Sequence, residues 1–527
     1  MPNQILSNIK PRKYQQDIFE IAKEKNTLVV LPTGLGKTLI ALMLSIHTQK
    51  KNPGTKTLFL APTRPLAEQH LSYFQKHLPE LFAELILFTG KTSAEKRKGL
   101  WETSDIIFST PQCIRNDLEK NLYNLEEVSL LIIDESHRCL KNYAYTKIAE
   151  TYKEQAKFQK VLGLTASPGT NKKTIKQIAE NLGIETIELR TRESSDVSTY
   201  LQELEFNIIK IEFPESFKEI SKLIKTIYER KILELKNRKL LFKPPTKTNI
   251  LELQANLMNQ LRSGNRNFNL FGGVTASAQA IKISHLIELF ETQTLYASQK
   301  YIKSIYEQAA KKQSKAVQQL IKNPNFTKAH TLINELISRN LEHPKLLELK
   351  SLIEESPKNK TIIFSQYRDT VYKITEELNK IEGIRASMFV GQAKKENSGL
   401  SQKEQQEIMD KFRSGEINTI VATSIAEEGL DIPEVNSVIF YEPIPSAIRK
   451  IQRAGRTARL MKGKLTILLT LDTLDEIFYY ASRSREKKMY DSIESIKKDL
   501  DDGKLNIKEE SSKKPLGVFN KKQKTLF

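Results

Sequence analysis

The stretch Leu31-Pro32-Thr33-Gly34-Leu35-Gly36-Lys37-Thr38 constrains this chain more than any other. It follows the apolar run Thr27-Leu28-Val29-Val30 and opens into Leu39-Ile40-Ala41-Leu42-Met43-Leu44, so it sits where a strand becomes a helix. A turn in that position aims successive backbone N–H groups and a helix N-terminus at a polyphosphate. Lys37 supplies a point charge for the outer phosphates and Thr38 offers its hydroxyl to Mg²⁺. The general phosphate-loop pattern G-x-x-x-x-G-K-[ST] is departed from at its first glycine, which is Leu31 here.

Further apolar runs follow at Leu58-Phe59-Leu60, Ile106-Ile107-Phe108, Leu130-Leu131-Ile132-Ile133 and Val161-Leu162-Gly163-Leu164. Short β-rich runs alternating with helical patterns predict an α/β fold, a parallel sheet with helices on both faces. Ligands of such sheets collect at the carboxyl ends of the strands, and each run ends in a polar cluster. The most telling is Asp134-Glu135-Ser136-His137. A carboxylate directly after a buried strand can hold Mg²⁺, which assigns Asp134 to metal. The next carboxylate, Glu135, can deprotonate the water that attacks a γ-phosphate. His137 is expected to join the nucleotide site to Thr165-Ala166-Ser167, with Thr165 and Ser167 coupling the two. Upstream of the loop, Arg12 and Gln15 stand where a glutamine can read adenine bidentately, which makes ATP the expected nucleotide.

Composition bounds the partners. With 527 residues the chain is long enough for about three domains. Its net charge of +20 is spread along the sequence and points to a polyanion. Two cysteines, Cys113 and Cys139, allow neither a disulfide framework nor a thiolate zinc site. No apolar run approaches membrane-spanning length, so a soluble intracellular protein, cytoplasmic or nucleoid-associated, is expected.

From about 201 to 350 glycine becomes scarce and helical periodicities take over, as in Phe217, Ile220, Ile224 and Ile227. This reads as an all-α insert carrying a basic stretch through Arg230, Lys236, Arg238, Lys239 and Lys243, with a mobile loop from Gly264 to Gly273. A second sheet resumes at Thr361-Ile362-Ile363-Phe364-Ser365-Gln366, without a phosphate loop of its own. It can complete an ATP site but not form one. The expected domains are 1–200, the ATP-binding half; 201–350, the helical insert; 351–485, the second half; and 486–527, a basic disordered tail.

Taken together, Lys37, Asp134-Glu135-Ser136-His137, Thr165-Ala166-Ser167 and Gln452-Arg453-Ala454-Gly455-Arg456-Thr457-Ala458-Arg459 resemble a superfamily-2 helicase of the DExH type. Ala61-Pro62-Thr63-Arg64-Pro65-Leu66-Ala67-Glu68-Gln69-His70, Asn142-Tyr143-Ala144-Tyr145 and Asn181-Leu182-Gly183 are similar to the archaeal Hef and eukaryotic FANCM branch. The resemblance implies two RecA-like motor domains, with Arg456 and Arg459 as arginine fingers and Gln452 and Asp431 toward the nucleotide. It further implies nucleic-acid contacts at Arg64, Ser365, Gln366 and Thr423, and a thumb-like insert that recognises branched or forked DNA. An ATP-dependent DNA helicase or translocase in repair is the reading. An RNA-directed motor similar to RIG-I-like and Dicer helicases is the alternative within the superfamily, and a non-catalytic nucleic-acid scaffold the one outside it. Glu229-Arg230-Lys231 is followed by Leu235 where the XPF-type nuclease motif needs an aspartate, so no nuclease activity is expected. Gln523-Lys524-Thr525-Leu526-Phe527 resembles the start of a sliding-clamp (PCNA) box, or is a bare hydrophobic end.

Overall fold

The computed structural model describes residues 9–79, 81–200, 204–265, 267–392, 399–423, 435–444 and 463–504. Two compact units divide the chain, one built on residues up to Leu201 and from Arg485 onward, the other on most of Gln202 to Ser484.

In the first unit, seven parallel strands form a sheet in the order β3-β4-β2-β5-β6-β1-β7. They are β1 (Thr27–Val30), β2 (Lys56–Leu60), β3 (Leu85–Phe88), β4 (Ile106–Ser109), β5 (Val128–Asp134), β6 (Val161–Thr165) and β7 (Thr186–Leu189). The inner strands are buried along their whole length, as parallel strands covered on both faces must be. Register fixes what their carboxyl ends bring together. Val30 pairs with Thr165 and Asp134 with Leu164, so the phosphate loop, Asp134-Glu135 and Thr165 emerge side by side. Helix Lys37–Lys51 is buried over Leu39–Ile46 against Tyr14, Phe59, Phe74 and Phe108, which fixes its N-terminus beneath the loop.

The second unit holds six parallel strands in the order β10-β11-β9-β12-β13-β8. These are β8 (Leu204–Ile211), β9 (Thr361–Phe364), β10 (Ala386–Phe389), β11 (Thr419–Ala422), β12 (Ser437–Phe440) and β13 (Gly463–Thr470). Here the expected boundary at 201 needs correcting. Residues 204–211 are an edge strand paired with β13 over eight residues, and the helical run starts only at Glu215. Its far end moves as well: helix Pro344–Glu354 buries Leu346, Leu349 and Ile353 among second-sheet residues such as Ile363 and Val421.

The insert comprises helices Glu215–Asn237, Lys247–Arg262, Phe268–Thr292, Leu295–Ala310, Lys315–Leu320 and Pro324–Ser338. Thr246, Asn267, Thr294, Ser314 and Asn323 each cap a helix by accepting a backbone N–H with the side-chain oxygen. Phe217, Ile220, Ile224 and Ile227 form the stripe that packs on Ile283, Phe290 and Ile302. The expected loop from 264 to 273 is shorter than read: Gly272 and Gly273 lie inside helix Phe268–Thr292. A Cβ at either would run into Arg238 or Leu240, so these glycines serve close packing rather than mobility.

The first part of the expected tail, up to Asp501, is helical instead, and residues 505–527 lie outside the described residues. Helix Leu474–Asp501 continues past 486, and Met489, Ile493 and Ile496 are buried at helical spacing. Lys172 pairs with Asp499 at 2.7 Å and Lys497 with Glu188 at 2.9 Å. Both cysteines are free and buried. Among the described residues no helix is long and apolar enough to cross a membrane.

Candidate nucleotide site and the helicase family

The phosphate loop is held from below by the first helix, Lys13–Glu24. Tyr14 donates its hydroxyl to Leu35 O at 2.8 Å and Gln15 Nε2 donates to the same carbonyl at 3.2 Å. Gln15 Oε1 accepts from Arg12 N at 2.8 Å. Gln15 therefore supports the loop, with one N–H and one lone pair left for a base. Gly34 and Gly36 adopt φ of 86° and 74°, and a Cβ on Gly36 would collide with the Gln15 amide. Arg12 carries its guanidinium 5.4 Å from the Tyr200 ring. Lys37 Nζ donates to Leu31 O at 2.8 Å and Pro32 O at 3.4 Å, folded back on the loop it opens.

A polar chain crosses from this loop to β5. With its proton on Nε2, His70 donates to Asp134 Oδ2 at 2.9 Å, and its Nδ1 lies 3.4 Å from the Thr38 hydroxyl. Burial pushes the Asp134 carboxyl up, but the His70 hydrogen bond, the Lys37 charge and the Glu135 backbone N–H outweigh it and hold it below its ordinary range. Asp134 thus stays an anion, and the His70 ring stands between its carboxylate and the Thr38 hydroxyl. Thr33 Oγ1 is buried without a hydrogen-bond partner among the described residues, which fits a loop shaped for a polar ligand.

Glu135 follows with φ 49° and ψ 47°, a left-handed conformation that is strained for a residue with a Cβ. Tyr145 pins this corner by donating to Asp134 O at 2.8 Å. Ser136 donates to Leu164 O at 3.1 Å, so its hydroxyl is satisfied where an alanine would leave nothing to satisfy. His137 Nδ1 stands 3.2 Å from both Thr165 Oγ1 and Glu135 Oε2. Thr165 Oγ1 in turn accepts from Ser167 N at 3.1 Å, and Ser167 Oγ meets Met489 Sδ at 2.7 Å.

The expected nucleic-acid residues divide. Arg64 is engaged by Glu68 one turn along its own helix at 2.6 Å. Ser365 and Thr423 lie side by side at the carboxyl edge of the second sheet, where Ser365 N donates to Ala422 O and Thr423 N to Phe389 O. Gln366 has an exposed side chain there. Ser365 is a correction: it is fully buried and donates to Gln293 Oε1 at 3.2 Å, within the joint to the insert. Around it, Tyr367 donates to Glu288 at 2.6 Å, and Lys345 Nζ donates to Thr292 O at 2.6 Å and Asp475 Oδ2 at 2.7 Å. Burial pushes Glu288 up, but His285, Lys247 and Tyr367 outweigh that and bring it down to about 2. Asp431, Gln452, Arg456, Arg459 and Gln523 to Phe527 lie outside the described residues.

The arrangement has a solved counterpart. The crystal structure of the Pyrococcus furiosus Hef helicase domain superposes with a TM-score of 0.70 at 42% identity, covering 91% of this chain and 100% of that one. This chain belongs to the Hef helicase family. Family models agree: DEAD/DEAH box helicase over 12–175, helicase conserved C-terminal domain over 344–461, and "Putative ATP-dependent RNA helicase, helical bundle" over 216–339. Among curated relatives, the Methanocaldococcus jannaschii "Putative ATP-dependent RNA helicase MJ1505" is 38% identical over 91% of this chain and 60% of its own length. The Neurospora crassa "ATP-dependent DNA helicase mph1" is 33% identical over 88% and 41%, and the mouse "Fanconi anemia group M protein homolog" 32% identical over 92% and 26%. The chain thus spans between 26% and 60% of the length of these relatives. His70, Tyr14 and Tyr145 are the site residues the sequence reading left unassigned, although His70 and Tyr145 sat inside the very stretches that carried the family likeness.

Proposed function

We propose that this chain is an ATP-dependent DNA helicase or translocase that remodels branched DNA such as forks and Holliday junctions. The observation that carries the proposal is the convergence of Thr38, His70 and Asp134 beside the strained Glu135, next to a loop whose Lys37 is folded back onto Leu31 O and Pro32 O. Lys37 binds outer phosphates, Thr38 and Asp134 hold Mg²⁺, and Glu135 takes the proton of the attacking water. The metal, when bound, neutralises phosphate charge. Arg456 and Arg459 supply the remaining positive charge, with Gln452 and Asp431 at the nucleotide, and Gln15 and Arg12 position the loop and face the base. His137, Thr165 and Ser167 relay the state of this site. Gln366, Thr423 and Arg64 contact the DNA backbone. Support for DNA comes from relatives named as DNA helicases and from the Hef likeness. The duplex-RNA motor is kept as a second reading because one relative and the helical-bundle model are named for RNA helicases.

The test is ATP hydrolysis by the full chain with no nucleic acid, forked DNA, linear duplex DNA and duplex RNA, beside Glu135→Gln. Stimulation by forked DNA that vanishes in the variant is expected. Stimulation by RNA alone transfers the chain to the second reading, and no hydrolysis under any condition leaves only the scaffold. An intracellular site of action and a sliding-clamp contact through Gln523 to Phe527 belong to the same proposal. An unchanged clamp pull-down after deleting those residues removes the clamp.

A further inference from the structure

The far end of the insert carries a feature that the motor does not explain. Three phenylalanines stand in water there: Phe242 is 85% exposed, Phe268 87% and Phe271 51%. Phe268 and Phe271 share one face of the first turn of helix Phe268–Thr292, three residues apart. The segment bearing Phe242 is clamped to that same turn. Arg238 lies across Gly272 and donates to Asn269 Oδ1 at 3.3 Å, while Asn269 Nδ2 donates back to Arg238 O at 3.2 Å. Leu240 packs over Gly273 and Leu241 enters a small core with Ile232, Leu235, Ile250 and Ala276. The apolar needs of the tip are met by those leucines, and the rings are left outside.

The surroundings are cationic. Between residues 230 and 271 there are nine basic residues and two acidic ones. Both acids are already engaged, Glu234 by Lys231 and Arg238, and Glu252 by Lys243. Lys236, Lys239 and Arg262 are exposed. Exposed rings among lysines and arginines suit a partner with flat π-faces on an anionic chain. Every base has such a face, but a base offers it only when unpaired.

We propose that Phe242, Phe268 and Phe271 form a stacking platform for unpaired DNA nucleotides, with Lys236, Lys239 and Arg262 on the flanking phosphates. The inference rests on the DNA-motor reading and deepens it: the tip distinguishes a branch from a plain duplex by the bases that a branch leaves unpaired.

The experiment uses the full chain, a forked DNA with 2-aminopurine at the unpaired junction nucleotides, and a blunt duplex. Triple variants Phe242→Ala/Phe268→Ala/Phe271→Ala and Phe242→Leu/Phe268→Leu/Phe271→Leu are compared with wild type, and binding of a fluorescent ADP analogue verifies that each is folded. Each stacked ring is worth about tenfold in affinity, so the alanine variant should bind the fork at least tenfold more weakly. The leucine variant should lose nearly as much, because the ring and not the apolar bulk makes the contact. Blunt-duplex affinity should stay within about twofold, and the salt dependence of fork binding should keep its slope, since no cation is removed. Quenching of 2-aminopurine should be lost in both variants. Wild-type fork affinity in the alanine variant overturns the platform while DNA-stimulated hydrolysis by the wild type still upholds the motor. Absence of that stimulation overturns the motor reading and the platform with it. Equal losses on an unpaired RNA, bound more tightly than the DNA, overturn the choice of DNA. A changed sedimentation coefficient in the variants overturns the platform in favour of contact between copies of the chain.

Discussion

Gln15 and Gly36 meet beneath the phosphate loop, and a double-mutant cycle on them measures how far the first helix holds that loop. Gly36→Ala places a side chain at φ 74°, a conformation that costs a residue with a Cβ about 1–2 kcal/mol. The new Cβ also occupies the place of the Gln15 amide, which must swing away and abandon Leu35 O, for about 1 kcal/mol more. The single variant should therefore destabilise the loop by roughly 2–3 kcal/mol. Gln15→Ala removes the bonds to Arg12 N and Leu35 O, for about 1–2 kcal/mol, with Tyr14 still bonded to Leu35 O. In the double variant the collision is gone, and only the backbone strain of an alanine at the left-handed position is added. The two effects should fall short of additivity by about 1 kcal/mol. Native-state hydrogen exchange of peptides spanning 31–45 reads the local opening energy without assuming that the two units unfold together. If Gly36→Ala costs as much in the Gln15→Ala background as in wild type, the proposed support is not there. Binding of ATP and GTP to Gln15→Ala adds a second reading. The loop term weakens both alike, and any further loss confined to ATP measures adenine recognition by the remaining N–H and lone pair.

Removing the general base with Glu135→Gln should lower hydrolysis by about 10²–10⁴-fold while leaving ATP affinity within about twofold, measured by steady-state turnover and equilibrium titration. Ser365→Ala should leave DNA affinity unchanged and lower the melting temperature modestly, because the hydroxyl bonds to Gln293 inside the unit; a tenfold loss of DNA affinity refutes its placement. Asp475→Leu leaves the fully buried Lys345 without its counter-charge, with only Thr292 O to accept from it, and should cost about 3–5 kcal/mol, whereas Lys345→Met with Asp475→Leu should be neutral or stabilising in thermal unfolding. Burial outweighs Lys345 and raises the Asp475 carboxyl from 3.8 to about 6. The folded state therefore binds this proton more tightly than the unfolded one. Its stabilising contribution is full below about pH 4, is lost as pH rises through about 6, and disappears in Asp475→Asn.

Most strands legible in the sequence are buried on both faces, where a parallel sheet demands an unbroken apolar run, although the edge strand β10 (Ala386–Phe389) was legible too. The three that escaped, β3, β7 and β8, are all sheet edges. An edge strand has one neighbour and tolerates polar residues such as Glu188 in β7 or Glu205, Asn207 and Lys210 in β8. The phosphate loop and Asp134-Glu135 were legible because each is contiguous, with its chemistry and its strand-to-loop context in a single stretch. His70 was not. Its role arises where helix Arg64–His77, the first turn of helix Lys37–Lys51 and the end of β5 converge, and spacing along the chain does not encode that meeting. The stripe Met489, Ile493, Ile496 was present at helical spacing but was masked by the lysines around it. Ser365 was misread for a related reason, since a polar residue at a strand end looks the same whether it faces solvent or a neighbouring helix.

That buried serine changes what the second unit can do. Its sheet and its insert are joined through Ser365 to Gln293, Tyr367 to Glu288, Lys345 to Thr292 and Asp475, and Glu291 to the Leu474 backbone N–H. An apolar joint of the same size would be indifferent to small slides, because the hydrophobic effect has no direction. A joint of directed hydrogen bonds has one register, and leaving it would strand buried polar groups at about 1–3 kcal/mol each. A displacement at the insert tip is therefore expected to reach the strand ends that bear Gln366 and Thr423 instead of being absorbed at the junction. Asp475 marks the limit of the arrangement: Lys345 and the Thr470 N–H both reach its Oδ2, while Oδ1 is buried without a hydrogen bond among the described residues. The raised pKa of that carboxyl follows from its burial in this half-satisfied state. It identifies Lys345 and Asp475 as the pair whose replacement by apolar residues would preserve the fold and loosen the joint, separating stability from coupling in one variant.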